Sequence, residues 1–274
     1  MSEFVLDREE WPHMSATHRT FLESAIPRLQ TDPRLVGLAA GGSLVTGSLD
    51  EYSDLDLIVI AAPEAYPNVL SGGRGIAEHL GPLLAAFTGE HVGEPRLLIC
   101  LYGPPLLHVD LKFLAADNVE HRVEEPLVLW DRDGGVRSGL SRGRATYPQP
   151  DRQWIEDRFW VWVHYTVVKI ARGELFEALD ALAVIRHRVL GPLILLEARK
   201  QPDGVRRVET SAPARVPSLR STVGTHDPKS CSDALEAAIT LYTDLRECLA
   251  PLDLRRRAEA ERAARAFLKE QLRR

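Results

Sequence analysis

Asp54 and Asp56 stand two residues apart at the head of an apolar run, Leu55 to Ala61, rich in isoleucine and valine. Successive side chains of a strand alternate faces, so this spacing puts both carboxylates on one side and Leu55 and Leu57 on the other. A slip of one residue would bury the acids and expose the leucines. The pattern therefore fixes the register, and with it the direction of both carboxylates. Paired carboxylates on one face can share a cation, and with no His or Cys inside the motif the donors suit Mg²⁺ rather than Zn²⁺.

The flanking text predicts the rest of the sheet. From Ser15 to Leu29, Phe21, Leu22, Ile26 and Leu29 recur at helical spacing, and Pro33 closes the segment. Leu35 to Ala40 reads as a buried strand ending at Gly41-Gly42, and Ile76 to Phe87 as a helix behind the breaker Ser71-Gly72-Gly73. Arg96 to Tyr102 and Leu106 to Leu114 predict an antiparallel pair across Gly103-Pro104-Pro105, with Pro126 to Trp130 as a fifth strand.

After Tyr147-Pro148-Gln149-Pro150 the text turns helical: Trp154 to Arg172, Glu174 to Arg199, Ser232 to Leu249 and Leu254 to Leu272, with Gln201 to Lys229 as a long loop. At 274 residues and 45% apolar content, the chain can bury the cores this requires. The expectation is an α+β chain: a domain with a mixed sheet over residues 1–150, then a helical bundle domain over 151–274.

Gly42 and Ser43 follow the first strand and predict a short helix, Ser43 to Leu49, whose first N–H groups attract phosphate. Gly42 admits a triphosphate closely, the Ser43 hydroxyl can bond a phosphate oxygen, and Gly47 and Asp50 turn the chain back to the aspartates. Asp110 lies in Leu-His-Val-Asp-Leu-Lys-Phe, where alternation puts His108, Asp110 and Lys112 on one face. A neighbouring strand would bring Asp110 beside Asp54 and Asp56, and three carboxylates so close require cations between them. His108 reads as a structural histidine beside acids and is left outside this set.

Gly-Ser, ten residues, Asp-x-Asp and a later strand aspartate resemble the DNA polymerase beta nucleotidyltransferase superfamily. With a helical second half and the helix text Phe159-Trp160…Lys169-Ile170-Ala171-Arg172-Gly173-Glu174, the chain is most similar to its aminoglycoside and lincosamide nucleotidyltransferases. The resemblance implies that Asp54, Asp56 and Asp110 are catalytic and hold two Mg²⁺ ions, with Asp110 as base for the acceptor hydroxyl. It implies that Gly42, Ser43 and Lys169 bind the nucleoside triphosphate, and that AMP passes from ATP to a hydroxyl of a small, cationic molecule such as one of these antibiotics. Read without the resemblance, Lys169 is a surface charge or the partner of Asp157 or Glu174. Glu174, Glu177 and Asp180 read as ordinary acids at a helix start.

A formal charge of −5 disfavours nucleic acid as partner, and so a nucleic-acid end-adding transferase; a nucleotide-binding, antitoxin-like protein is the non-catalytic alternative. Cys100, Cys231 and Cys248 form no metal or disulfide pattern. An acidic start and no long apolar segment lead to the expectation of a cytoplasmic chain without a membrane span, as monomer or homodimer.

Overall fold

The computed structural model describes residues 14–249 and 251–271. The chain divides into two compact units, residues 1–147 and 148–274. The first is mixed α/β. Its elements are α1 (Ala16–Gln30), β1 (Leu35–Ala40), α2 (Gly42–Thr46), β2 (Leu55–Ala61), α3 (Tyr66–Ser71), α4 (Gly73–Leu80), β3 (Leu83–Gly89), β4 (Glu94–Tyr102), β5 (Leu107–Ala115), β6 (Leu127–Asp131) and α5 (Gly135–Ser141).

The six strands form one sheet in the order β3-β4-β5-β2-β1-β6. Only β2 and β5 run parallel; the other neighbours are antiparallel, including the β4–β5 pair expected from the sequence. Parallel pairing sets Leu55 beside Val109, Leu57 beside Leu111 and Val59 beside Phe113. These six side chains are buried in the main core with Leu22 and Ile26 of α1 and Ile76 and Leu80 of α4. Burying one such side chain stabilises the fold by about 1.5–3 kcal/mol, so a register that moved the aspartates inward would forfeit all six contributions.

The helix expected from Ile76 to Phe87 ends at Leu80. Leu80, Leu83, Leu84 and Phe87 have helical spacing, but Pro82 cannot donate a backbone N–H and biases Gly81 away from the helical region. The chain leaves instead as β3, a sixth strand at the sheet edge, with Leu84 and Phe87 exposed.

The second unit is helical, with α6 (Arg152–Ala171), α7 (Leu175–Ile185), α8 (Gly191–Glu197), α9 (Val208–Ser211), α10 (Val216–Arg220), α11 (Pro228–Leu249) and α12 (Ala258–Gln271). Asp151 caps α6 by accepting from the N–H groups of Gln153 and Trp154 at 2.9 Å each. The expected helix from Glu174 to Arg199 is divided: a π turn at Arg186–Leu190 joins α7 to α8. The expected loop from Gln201 to Lys229 contains α9 and α10. The last helix starts at Ala258 rather than Leu254, and Leu272 lies outside the described residues. Among the described residues no helix is long and apolar enough to cross a membrane.

Candidate metal and nucleotide site

Asp54 is delivered by a tight turn. The Asp50 carboxylate accepts from the Tyr52 N–H and the Ser53 hydroxyl, and the Ser53 hydroxyl accepts from the Asp50 N–H. The next anchor comes from α1, where buried His18 holds the Ser53 carbonyl through Nε2 at 2.7 Å. Asp54 is thus fixed at the mouth of β2 by its neighbours' hydrogen bonds. Beside it, the Gly41 N–H donates to the Asp56 carbonyl at 2.9 Å, locking the end of β1 to β2.

Across the parallel pair Asp56 sits beside Asp110, and one step earlier Leu55 sits beside Val109. Asp54 and His108 precede these residues on their strands, so two rungs of polar side chains share one face. One ligand atom from each of Asp54, His108 and Asp110 lies within 4.8 Å of the other two. His108 Nε2 is 2.9 Å from Asp110 Oδ1. Burial pushes the Asp110 carboxyl above the ordinary range, with Asp54 adding to the rise and His108 opposing it.

The structure therefore brings Asp54 and Asp110 together and adds His108, which the sequence reading left aside. Asp56, beside Asp110 across the strands, also stands against Gly42. Gly42 has φ +59°, and a Cβ there would collide with the Asp56 carboxylate, so glycine is required both by conformation and by space. A further acid, Glu124 from the segment before β6, accepts the Gly42 N–H at 3.0 Å. No sequence pattern links Glu124 to Gly42, 82 residues away.

Ser43 is buried and its hydroxyl has no hydrogen-bond partner among the described residues. An orphaned buried hydroxyl costs about 1–3 kcal/mol, which a bound acceptor atom would recover. Asp56 and Asp110 also open into a cleft of about 660 Å³, bounded by Ile58 and Ile60 of β2, Lys112 of β5 and the segment carrying Glu124.

Lys169 lies in the second unit. Its ammonium is 2.6 Å from Glu174 and 2.5 Å from Glu177, contacts that hold its pKa above the ordinary lysine range.

No protein-family model matches the chain, and no curated protein matches it. Among solved structures it is similar to an aminoglycoside 6-adenyltransferase from Bacillus subtilis, at 13% identity over 94% of this chain and 99% of that one, with a TM-score of 0.38. It is similar to a nucleotidyltransferase-like protein from Exiguobacterium sibiricum 255-15, at 15% identity, 82% and 74% coverage and a TM-score of 0.38. A third is a STING-associated CdnE c-di-GMP synthase from Capnocytophaga granulosa, at 14% identity, 89% and 84% coverage and a TM-score of 0.32. Likeness this distant assigns no activity or substrate to the chain.

Proposed function

We propose that this chain is a metal-dependent nucleotidyltransferase that moves a nucleoside monophosphate, AMP from ATP, to a hydroxyl of a small acceptor such as an aminoglycoside or lincosamide. The observation that carries the reading is the crowding of Asp54 and Asp110, one of them with a pKa raised by burial, on a face the register does not allow to turn away. Carboxylates held this close are what a divalent ion stabilises. Oxygen-rich donors fit Mg²⁺, and the orphaned Ser43 hydroxyl fits a phosphate oxygen.

Asp54, Asp56 and Asp110 would hold two Mg²⁺ ions, which supply charge neutralisation for the triphosphate and the leaving pyrophosphate. Gly42 and Ser43 receive phosphate oxygens through a backbone N–H and a hydroxyl, and Glu124 must release that N–H as the nucleotide enters. Asp110 accepts the proton of the acceptor hydroxyl as its oxygen bonds to the α-phosphorus; the bond from the α-phosphorus to the bridging oxygen breaks, and pyrophosphate departs. Binding of both substrates beside these fixed groups lowers the entropic part of the barrier.

Labelled ATP with Mg²⁺ and an antibiotic panel tests the reaction. Acceptor-dependent release of pyrophosphate is expected, falling by about 10²–10³-fold in Asp54→Asn, a loss of the size produced by removing one electrostatic partner of a transition state. Equal turnover by Asp54→Asn and the parent chain would overturn the mechanism.

A further inference from the structure

The acids of the polar face meet different neighbours. Asp56 stands against Gly42 and near Glu124, with oxygen donors only, whereas Asp54 and Asp110 share their space with an imidazole. The His108 side chain is 49% exposed, so its ring is open to an incoming ion, and the described structure ties its Nε2 to a single carboxylate oxygen. From the sequence this ring reads as structural and outside the site. Its position is nonetheless set by the same alternation that sets Asp110, because β5 presents residues 108, 110 and 112 on one face.

We propose that His108 is an inner-sphere nitrogen ligand, so that Asp54, His108 and Asp110 form a mixed nitrogen and oxygen site where Mn²⁺ or a later first-row divalent ion replaces one of the two Mg²⁺ ions of the proposed enzyme. The inference rests on the reading of this face as the metal centre of the proposed enzyme. Geometry supports it. Ligands at about 2.1 Å from an octahedral ion lie about 3 Å apart when adjacent and about 4.2 Å apart when opposite. His108 Nε2 and Asp110 Oδ1 are 2.9 Å apart, and all three donors fall within 4.8 Å of one another. His108 and Asp110 thus fit two adjacent corners of such a shell, and Asp54 lies close enough to be drawn into a third.

Donor chemistry supports it too. Mg²⁺ takes oxygen ligands and keeps much of its water, while imidazole suits transition ions and raises affinity along the series from Mn²⁺ onward. Asp56, with only oxygen donors of Asp110 and Glu124 near it, keeps the hard ion. The two ions of the proposed site are therefore not equivalent, and the softer one occupies the position nearest Asp110.

The test uses the full chain, stripped of metal, in a nitrogen-free buffer without nucleotide. Mn²⁺ is added below stoichiometry and its electron spin echo recorded. Modulation from a directly bound ¹⁴N is expected in the parent chain and absent from His108→Ala. By calorimetry, that variant binds Mn²⁺ about ten-fold more weakly while its Mg²⁺ affinity stays within about two-fold. Absence of ¹⁴N modulation in the parent chain overturns the assignment, whatever the variant does. So does modulation that survives in His108→Ala. A histidine that only orients Asp110 would lower the two affinities together and give no nitrogen signal. Parallel turnover assays separate the two readings: transfer with Mg²⁺ and no ¹⁴N signal removes the ligand and keeps the enzyme, whereas a ¹⁴N signal without transfer to any acceptor does the reverse.

Discussion

Each unit of this protein carries acids away from solvent, and the two treat them in opposite ways. In the second unit Glu156 is fully buried, yet its carboxylate accepts from Trp160 Nε1, the Tyr242 hydroxyl, Arg246 and the Arg257 N–H. Arg246 in turn reaches Glu261 at 2.9 Å. The Glu156 carboxylate is answered from within, tying α6 to α11 and to the start of α12, although Arg246 Nε itself has no partner among the described residues. In the first unit Asp54 and Asp110 crowd together beside His108, and the Ser43 hydroxyl has no partner among the described residues. A buried charge satisfied by its own chain holds a fold together; one left in want of a countercharge marks where something else binds.

Removing charge should therefore move stability in opposite directions in the two units. Glu156→Ala leaves Arg246, whose side chain is 6% exposed, without its most buried partner, and should cost about 3–5 kcal/mol in urea unfolding of the full chain. Asp54→Asn, unfolded in the presence of a chelator, should keep the parent stability or gain up to about 1 kcal/mol, because it relieves repulsion without breaking a stabilising pair. If Asp54→Asn were as damaging as Glu156→Ala, the first-unit acids would be structural and the contrast would collapse.

A smaller effect separates space from strain at the candidate phosphate loop. Gly42 and Gly47 both adopt positive φ, +59° and +68°, but only Gly42 faces the Asp56 carboxylate; nothing lies within 4 Å of a Cβ built on Gly47. Both alanine variants should lose about 1–2 kcal/mol from the left-handed backbone. Gly42→Ala should in addition lower kcat/KM for the nucleotide by more than about ten-fold, since Asp56 must move, while Gly47→Ala should leave it within about two-fold. Equal kinetic losses would mean that the loop acts through its backbone alone.

What the sequence revealed follows the reach of each signal. Alternation in Leu55 to Ala61 and in Leu107 to Phe113 located β2, β5 and the faces of Asp56 and Asp110, because a two-residue period is a local property that burial of the opposite face enforces. The same alternation placed His108 correctly and left its chemistry open, since whether a ring touches one carboxylate or two depends on a neighbouring strand. Glu124 gave no signal, as its contact with Gly42 arises only when the segment before β6 folds back. β3 was hidden because Leu80, Leu83, Leu84 and Phe87 mimic a helix, and one proline outweighs that period. The division at the π turn Arg186–Leu190 did carry a signal, Gly191-Pro192 just after it, which the apolar period on either side masked.

The least costly change probes a charge that belongs to neither class. Glu94 binds Arg96 through Oε1 at 2.6 Å and Lys112 through Oε2 at 2.8 Å, and these cations, Arg96 first, hold its carboxyl down at about 2, against an ordinary value of 4.5. Lys112 shares the face of Asp110, so Glu94 also keeps an ammonium occupied that would otherwise lie free beside the candidate metal ligands. A carboxyl depressed by folding adds stability that is complete above pH 4.5 and is lost as pH falls toward 2. Because the pair is partly solvated, the contribution is below about 1 kcal/mol. Glu94→Gln should flatten the melting temperature against pH across that window and leave it nearly unchanged at neutrality. Metal affinity then distinguishes the partners. If Lys112, released by the substitution, turns to Asp110, Mg²⁺ and Mn²⁺ should both bind more weakly, because an ammonium beside Asp110 competes with either ion, in contrast to the Mn²⁺-specific loss expected from His108→Ala.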